Sequence, residues 1–168
     1  MKYFLMFICL TQNSVTGFCQ KPDVALFQWG QEEFEKGNFE ASIKFYSEAI
    51  MFNPNEFFYY YSRGLSMVEL KRNMEAIIDF TKSIDLNPSE GGLYAARGQC
   101  KGNLGDFFGA ISDFTKAIEY YPKNSLFFYQ RGIAKIKLGK TESGCIDLSK
   151  SGELGYSKAY LTINKACN

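Results

Sequence analysis

The chain contains no histidine. This removes the commonest general base and the commonest zinc ligand, so a Ser-His-Asp or Cys-His centre cannot be assembled from it. Cysteine is scarce as well, five in 168 residues, and none shows the C-x-x-C spacing of a metal site. No glycine-rich loop follows a strand-like stretch, so a phosphate cradle is also missing. Acidic pairs such as Glu32-Glu33 read as solvated helix faces. No catalytic centre, cofactor site or metal site is therefore expected, and the protein is not expected to be an enzyme. An excess of one charge sign is lacking too. Nineteen basic residues face eighteen acidic ones, with no cluster of Lys and Arg, which argues against a nucleic-acid partner.

Long apolar runs are equally short in supply. Tyr3 to Leu10 is a run of eight, preceded by Lys2 and followed by polar residues and then Gly17-Phe18-Cys19. That is the layout of a secretory signal peptide over residues 1–19, cut before Gln20, and the run is too short to span a bilayer. The expectation is an exported chain, periplasmic or secreted, with a net charge near zero and no membrane insertion of the mature part.

What the chain has in excess is aromatic side chains, 16 Phe and 11 Tyr against one Trp, and repetition. Residues 76–88 read AIIDFTKSIDLNP and residues 110–122 read AISDFTKAIEYYP. The step of 34 residues recurs in Pro54, Pro88 and Pro122, in Gly30, Gly64, Gly98 and Gly132, in Arg63, Arg97 and Arg131, and in Asp79, Asp113 and Asp147. Each period holds two segments with apolar residues at three and four spacing, as in Phe107, Ala110, Ile111, Phe114 and Ile118. Gly37-Asn38 and Gly105-Asp106 supply a helix end and a cap between segments, and the prolines stop the second segment. The repeating unit is thus a helical hairpin. Glycine at the middle of a helix costs about 1 kcal/mol against Ala, so its fourfold recurrence predicts a packing role. It is expected to face a small residue on the second helix: Gly30 with Ser42, Gly64 with Ala76, Gly98 with Ala110, Gly132 with Gly144.

The series Tyr60, Gly64, Ala76, Phe80, Pro88 and Tyr94, Gly98, Ala110, Phe114, Pro122 resembles the tetratricopeptide repeat. The resemblance implies an all-α fold, a right-handed α-solenoid of four helix–turn–helix units over 23–56, 57–90, 91–124 and 125–156. Residues 157–168 would cap the stack, with Ala159, Tyr160, Ile163 and Ala166 as an apolar stripe. Departures from the family pattern are Arg63, Arg97 and Arg131 where Leu is more usual, and a last unit without its proline. The resemblance also implies a peptide-binding groove along the first helix of each unit, with Phe27, Gln31, Tyr61, Leu65, Glu69, Ala95, Gln99, Asn103, Tyr129 and Ile133 facing it. Some members clamp a chaperone's C-terminal carboxylate with Lys, Asn and Arg at such sites; this chain offers mainly Phe, Gln, Tyr and Leu there, so that activity is not implied.

Three finer expectations follow from the residues. Arg63–Asp79, Arg97–Asp113 and Arg131–Asp147 lie sixteen apart, and where the first unit lacks the Arg it has Trp29, with Phe45 for the Asp. Such paired change predicts partly buried structural ion pairs within each hairpin, pairing with the neighbouring unit being the alternative. Cys145 and Cys167 stand eleven residues either side of Tyr156, at one level of a terminal hairpin. In an exported protein that favours a disulfide, two buried thiols being the alternative. Last, Gly92, Ala95 and Gly102 between Tyr61 and Tyr129 suggest a pocket in the third unit, unless those glycines merely loosen their helix. The function expected is a non-catalytic scaffold that binds a protein or peptide in its concave groove. The alternative is a structural, self-associating homo-oligomeric unit of an envelope assembly.

Overall fold

The computed structural model describes residues 21–167, and the expected signal peptide lies outside them. The described chain is a row of antiparallel helix pairs. α1 (Pro22–Glu35) pairs with α2 (Phe39–Phe52), α3 (Phe57–Glu69) with α4 (Asn73–Leu86), α5 (Gly91–Asn103) with α6 (Phe107–Tyr120), and α7 (Ser125–Lys137) with α8 (Thr141–Glu153). α9 (Lys158–Ala166) closes the C-terminal end against α8. The second helix of each pair packs on the first helix of the next. Odd-numbered helices also meet one another along the row, which makes them the inner layer of a solenoid.

Local chemistry sets the helix ends. Asn53, Asn87 and Tyr121 stand before the prolines in extended backbone, with φ of −139°, −140° and −126°, because the proline ring excludes the helical conformation there. The turns inside the hairpins need a left-handed residue, supplied by Gly37, Gly105 and Gly139 with φ between 79° and 82°. The second unit places Lys71 there, at φ 61°. Side-chain capping of the second helix is seen at Asp106, which accepts from the Gly109 amide, whereas Asn38 turns away and donates to Glu33 instead.

The helices approach closely at the mid-helix glycines, in two different ways. A Cβ on Gly98 would stand 3.4 Å from the Ala110 carbonyl, and one on Gly132 would meet the Gly144 carbonyl at 2.9 Å. In the first two units the expected small partner is not what fills the gap. The edge of the Tyr46 ring lies over Gly30 and that of Phe80 over Gly64, 2.5 and 2.7 Å from where a Cβ would stand. The aromatic four residues beyond the small one reaches back over the glycine, while Ser42 turns to the next unit and donates to the buried Ser66 hydroxyl.

Arginine forks tie the hairpins together. Arg63 donates through Nε and Nη2 to both oxygens of Asp79 at 2.8 Å, and its Nη1 donates to Ser47 of the preceding unit at 3.0 Å. Arg97 does the same with Asp113 and Thr81, and Arg131 with Asp147 and Thr115. The carboxylate is within the hairpin and the hydroxyl is next door, so each arginine spans two units. Lys101 and Lys135 add a second cation to Asp113 and Asp147. Hydrogen bonding to the aspartates holds the Arg63 and Arg97 guanidinia above their ordinary pKa, against the opposing effect of burial. In the first unit Trp29 and Phe45 meet edge-on with centroids 6.0 Å apart.

At the C-terminus Cys145 and Cys167 are joined by a disulfide, pinning α9 to α8. Ala159 is the buried residue of α9, and Ile163 and Ala166 are half-buried. Tyr160, expected in the apolar stripe, is 53% exposed because its ring lies flat over Gly152 rather than entering the core. Cys100, by contrast, is a free thiol buried with Met67, Ala76 and Phe80, and burial pushes its pKa up to about 11.

Two stability predictions follow from this frame. Lys71→Gly should raise stability by about 1 kcal/mol, because only glycine holds φ 61° without a Cβ clash, and a thermal melt should shift upward by about 2–4 °C. Asp113→Phe alone strands Arg97 and Lys101 and should cost about 3 kcal/mol. Combined with Arg97→Trp, copying the first unit, the loss should be smaller than the two single losses summed by about 1–2 kcal/mol in urea unfolding.

Candidate functional site

The inner layer is not uniform along its length. Between the first two units it opens into a cavity of roughly 600 Å³. Phe27 and Gln31 of α1, and Tyr61 and Leu65 of α3, line it, four of the residues expected in the groove. The others that line it were not singled out from the sequence. Val24 and Phe34 extend the stripe of α1 by one turn each way, Phe58 extends that of α3 toward its N-terminus with Ser62 between the expected pair, and Glu56, the N-cap of that helix, also lines the space. Tyr46 comes from α2 and Tyr59 from the buried side of α3.

The aromatic rings hold each other in place. Phe27 packs against Tyr46 at 5.6 Å and against Tyr59 at 5.1 Å between centroids, and Tyr61 leans on Phe80 at 5.8 Å. The Tyr59 hydroxyl donates to Asp23, which also accepts from Asn53, so the wall is fixed from behind. Tyr46 is 2% exposed, and its hydroxyl has no hydrogen-bond partner among the described residues. Burial foremost, with the Glu35 charge added, pushes its pKa up to about 12; burial and then Asp23 and Glu56 do the same for Tyr59.

The remaining expected groove residues do different work. Ala95 packs into the core formed by Ala110, Phe114 and Ala134, and the cavity is found one unit earlier than the pocket expected around it. Gln99 and Asn103 bond to each other, Asn103 donates to Asn73, and Gln130 donates to Gln99. A chain of amides thus crosses the second to fourth units. Tyr129, expected as the far wall of that pocket, packs edge-on against Tyr156 at 4.8 Å and reaches Thr162 of α9. Glu69 is exposed at the end of α3, and Ile133 is half-buried on α7. Gly92 donates its amide to the Glu90 side chain at 3.0 Å, as part of the N-terminal cap of α5. Among the described residues no group of three His, Cys, Asp or Glu side chains is placed to hold a metal ion, and no helix is long and apolar enough to cross a membrane.

Helical hairpins stacked in register around an inner aromatic-lined face define an α-solenoid of the interaction-scaffold class. The family model for the tetratricopeptide repeat matches residues 25–56 and 92–124, the first and third units, and the chain is a tetratricopeptide-repeat protein. Among solved structures it is similar to MamA, with 19% identity over 86% of this chain and 80% of that one and a TM-score of 0.82. It is also similar to the first such domain of Spaghetti (RPAP3), solved with the HSP90 peptide SRMEEVD, at 21% identity over 70% and 94% of the two chains and a TM-score of 0.69. The Arabidopsis OM64 domain gives 23% identity over 67% and 93%, with a TM-score of 0.65. At such identities the likeness is one of fold. None of the curated proteins compared with the chain matches it.

The tyrosines give a pH dependence with a definite sign. Their folded pKa values lie above the unfolded value of about 10, so the stability tied to their neutral form is complete below pH 10. It is lost as the pH rises from 10 through 12. Urea unfolding at stepped pH should show that alkaline fall, and Tyr46→Phe should make it shallower while leaving the curve below pH 9 unchanged in slope.

Proposed function

We propose that this protein is a non-catalytic scaffold that binds a peptide segment of another protein along its inner face, anchored in the cavity between the first two units. The observation that carries this reading is the cavity itself. It is apolar, walled by rigid aromatic rings that are braced from behind, and of a volume in the range of ordinary ligand pockets. Two-χ aromatic side chains lose little entropy on binding and present large contact area, which is what a hot spot requires. The amide chain from Asn73 to Gln130 continues the face with groups that can exchange their mutual bonds for those of an extended backbone. The peptide in the RPAP3 structure supports the choice of occupant class, and the fold similarity supports the geometry.

We read the protein as exported, with residues 1–19 removed; the Cys145–Cys167 bond supports this, since such bonds persist in oxidising compartments. N-terminal sequencing of the protein recovered outside the cytoplasm should begin at Gln20.

A second reading has its own support. Met74, Ile78, Phe108 and Ile146 on the second helices are each about two-thirds exposed, which suits self-association on the outer face. Light scattering across a concentration series separates the two: a constant monomer mass rejects it.

The direct test of the groove fills it. Leu65→Trp should reduce capture of the cross-linked native partner at least about tenfold, with a melting temperature within a few degrees of the parent. Unchanged capture would exclude the cavity as the binding site.

A further inference from the structure

The cavity has a charge as well as a shape, and the charge selects the occupant. Glu56 is the ionised group among its lining residues, and no lysine or arginine lines it. Its carboxylate makes no capping bond to α3, so it is not committed to the fold. Glu90, by comparison, is engaged by the Gly92 amide and the Tyr121 hydroxyl. Phe27, Phe34 and Phe58 also line the space, and a cation that meets the face of such a ring is attracted by its quadrupole. The N-terminus of α3 opposes this with about half a positive charge, less than the full charge of Glu56.

Burial foremost raises the pKa of Tyr46, Tyr59 and Tyr61, and nearby carboxylates add to it: Glu35, Asp23 with Glu56, and Glu90 respectively.

We propose that the cavity takes a cationic side chain, an arginine or lysine flanked by apolar residues, from a peptide segment of a partner protein. This rests on the groove reading above and adds the sign of the ligand. The ammonium or guanidinium head would lie between the aromatic faces and Glu56, and its methylene stem and apolar neighbours would cover Val24 and Leu65. An acidic peptide tail of the kind in the RPAP3 structure would instead bring like charges together in a partly desolvated space.

The test is selection from a displayed random dodecapeptide library on the purified protein, followed by calorimetry on resynthesised peptides. Enriched sequences should carry Arg or Lys beside an aliphatic or aromatic residue. Replacing that cation by Glu should weaken binding at least about tenfold, and Glu56→Arg should reverse the preference. Leu65→Trp should abolish binding of either form. Enrichment of acidic or uncharged peptides that Leu65→Trp displaces would overturn the cation inference and leave the groove reading standing. Peptides that bind Leu65→Trp as well as the parent, or no enrichment at all, would overturn both.

Discussion

The spine of this protein is the close approach of two helices at a residue with no side chain. At Gly132 the facing backbone is near enough that a single added carbon would crowd a carbonyl, at Gly98 it would press on the Asp113 Cβ, and at Gly30 and Gly64 an aromatic ring edge fills the same space. A glycine in a free helix is a loss of about 1 kcal/mol, and that loss is offset only because the hairpin closes around it. Repeated at one period, the approach sets the distance within every pair and so the level at which everything else meets. The arginine forks depend on it, since a planar guanidinium reaches both carboxylate oxygens only if the helices stand at one fixed separation.

Those forks also link one unit to the next. Each arginine holds its own hairpin through the aspartate and the preceding hairpin through Ser47, Thr81 or Thr115. A hairpin alone would leave one apolar side uncovered, and the row is stable because neighbours cover it. After the fourth hairpin α9 covers α8, and the disulfide holds it there. On this rigid frame the inner face is free to vary. The first two units carry large rings that wall a cavity, while the third carries small residues and amides at the same positions.

Much of this was legible in the chain before any coordinates. The period of 34, the prolines and the glycines name the hairpins and their order, because each residue type has one backbone reason to recur there. The partnership of Arg63 with Asp79 was readable because Trp29 and Phe45 replace both members together. Phe27, Gln31, Tyr61 and Leu65 were readable as inward-facing from their register. Phe34 and Phe58 carried a usable signal too, being one turn from residues already assigned to that face.

Register told which residues point inward and could not tell whether they meet a gap or each other. Ala95 and Tyr61 occupy the same position in successive units and each packs beside a core cluster, yet only Tyr61 also walls this cavity. The difference lies in side-chain volume on the facing helices, a sum over residues distant in sequence. Tyr46, one period before Phe80, reaches the cavity from the second helix as it bends over Gly30, so its place beside the glycine is periodic while its part in the cavity wall is not. The hairpins and their order rest on local backbone preferences that repeat along the chain, and so they can be read from its letters. Where the inner face stays open arises from packing between units, which sums over residues far apart in the chain.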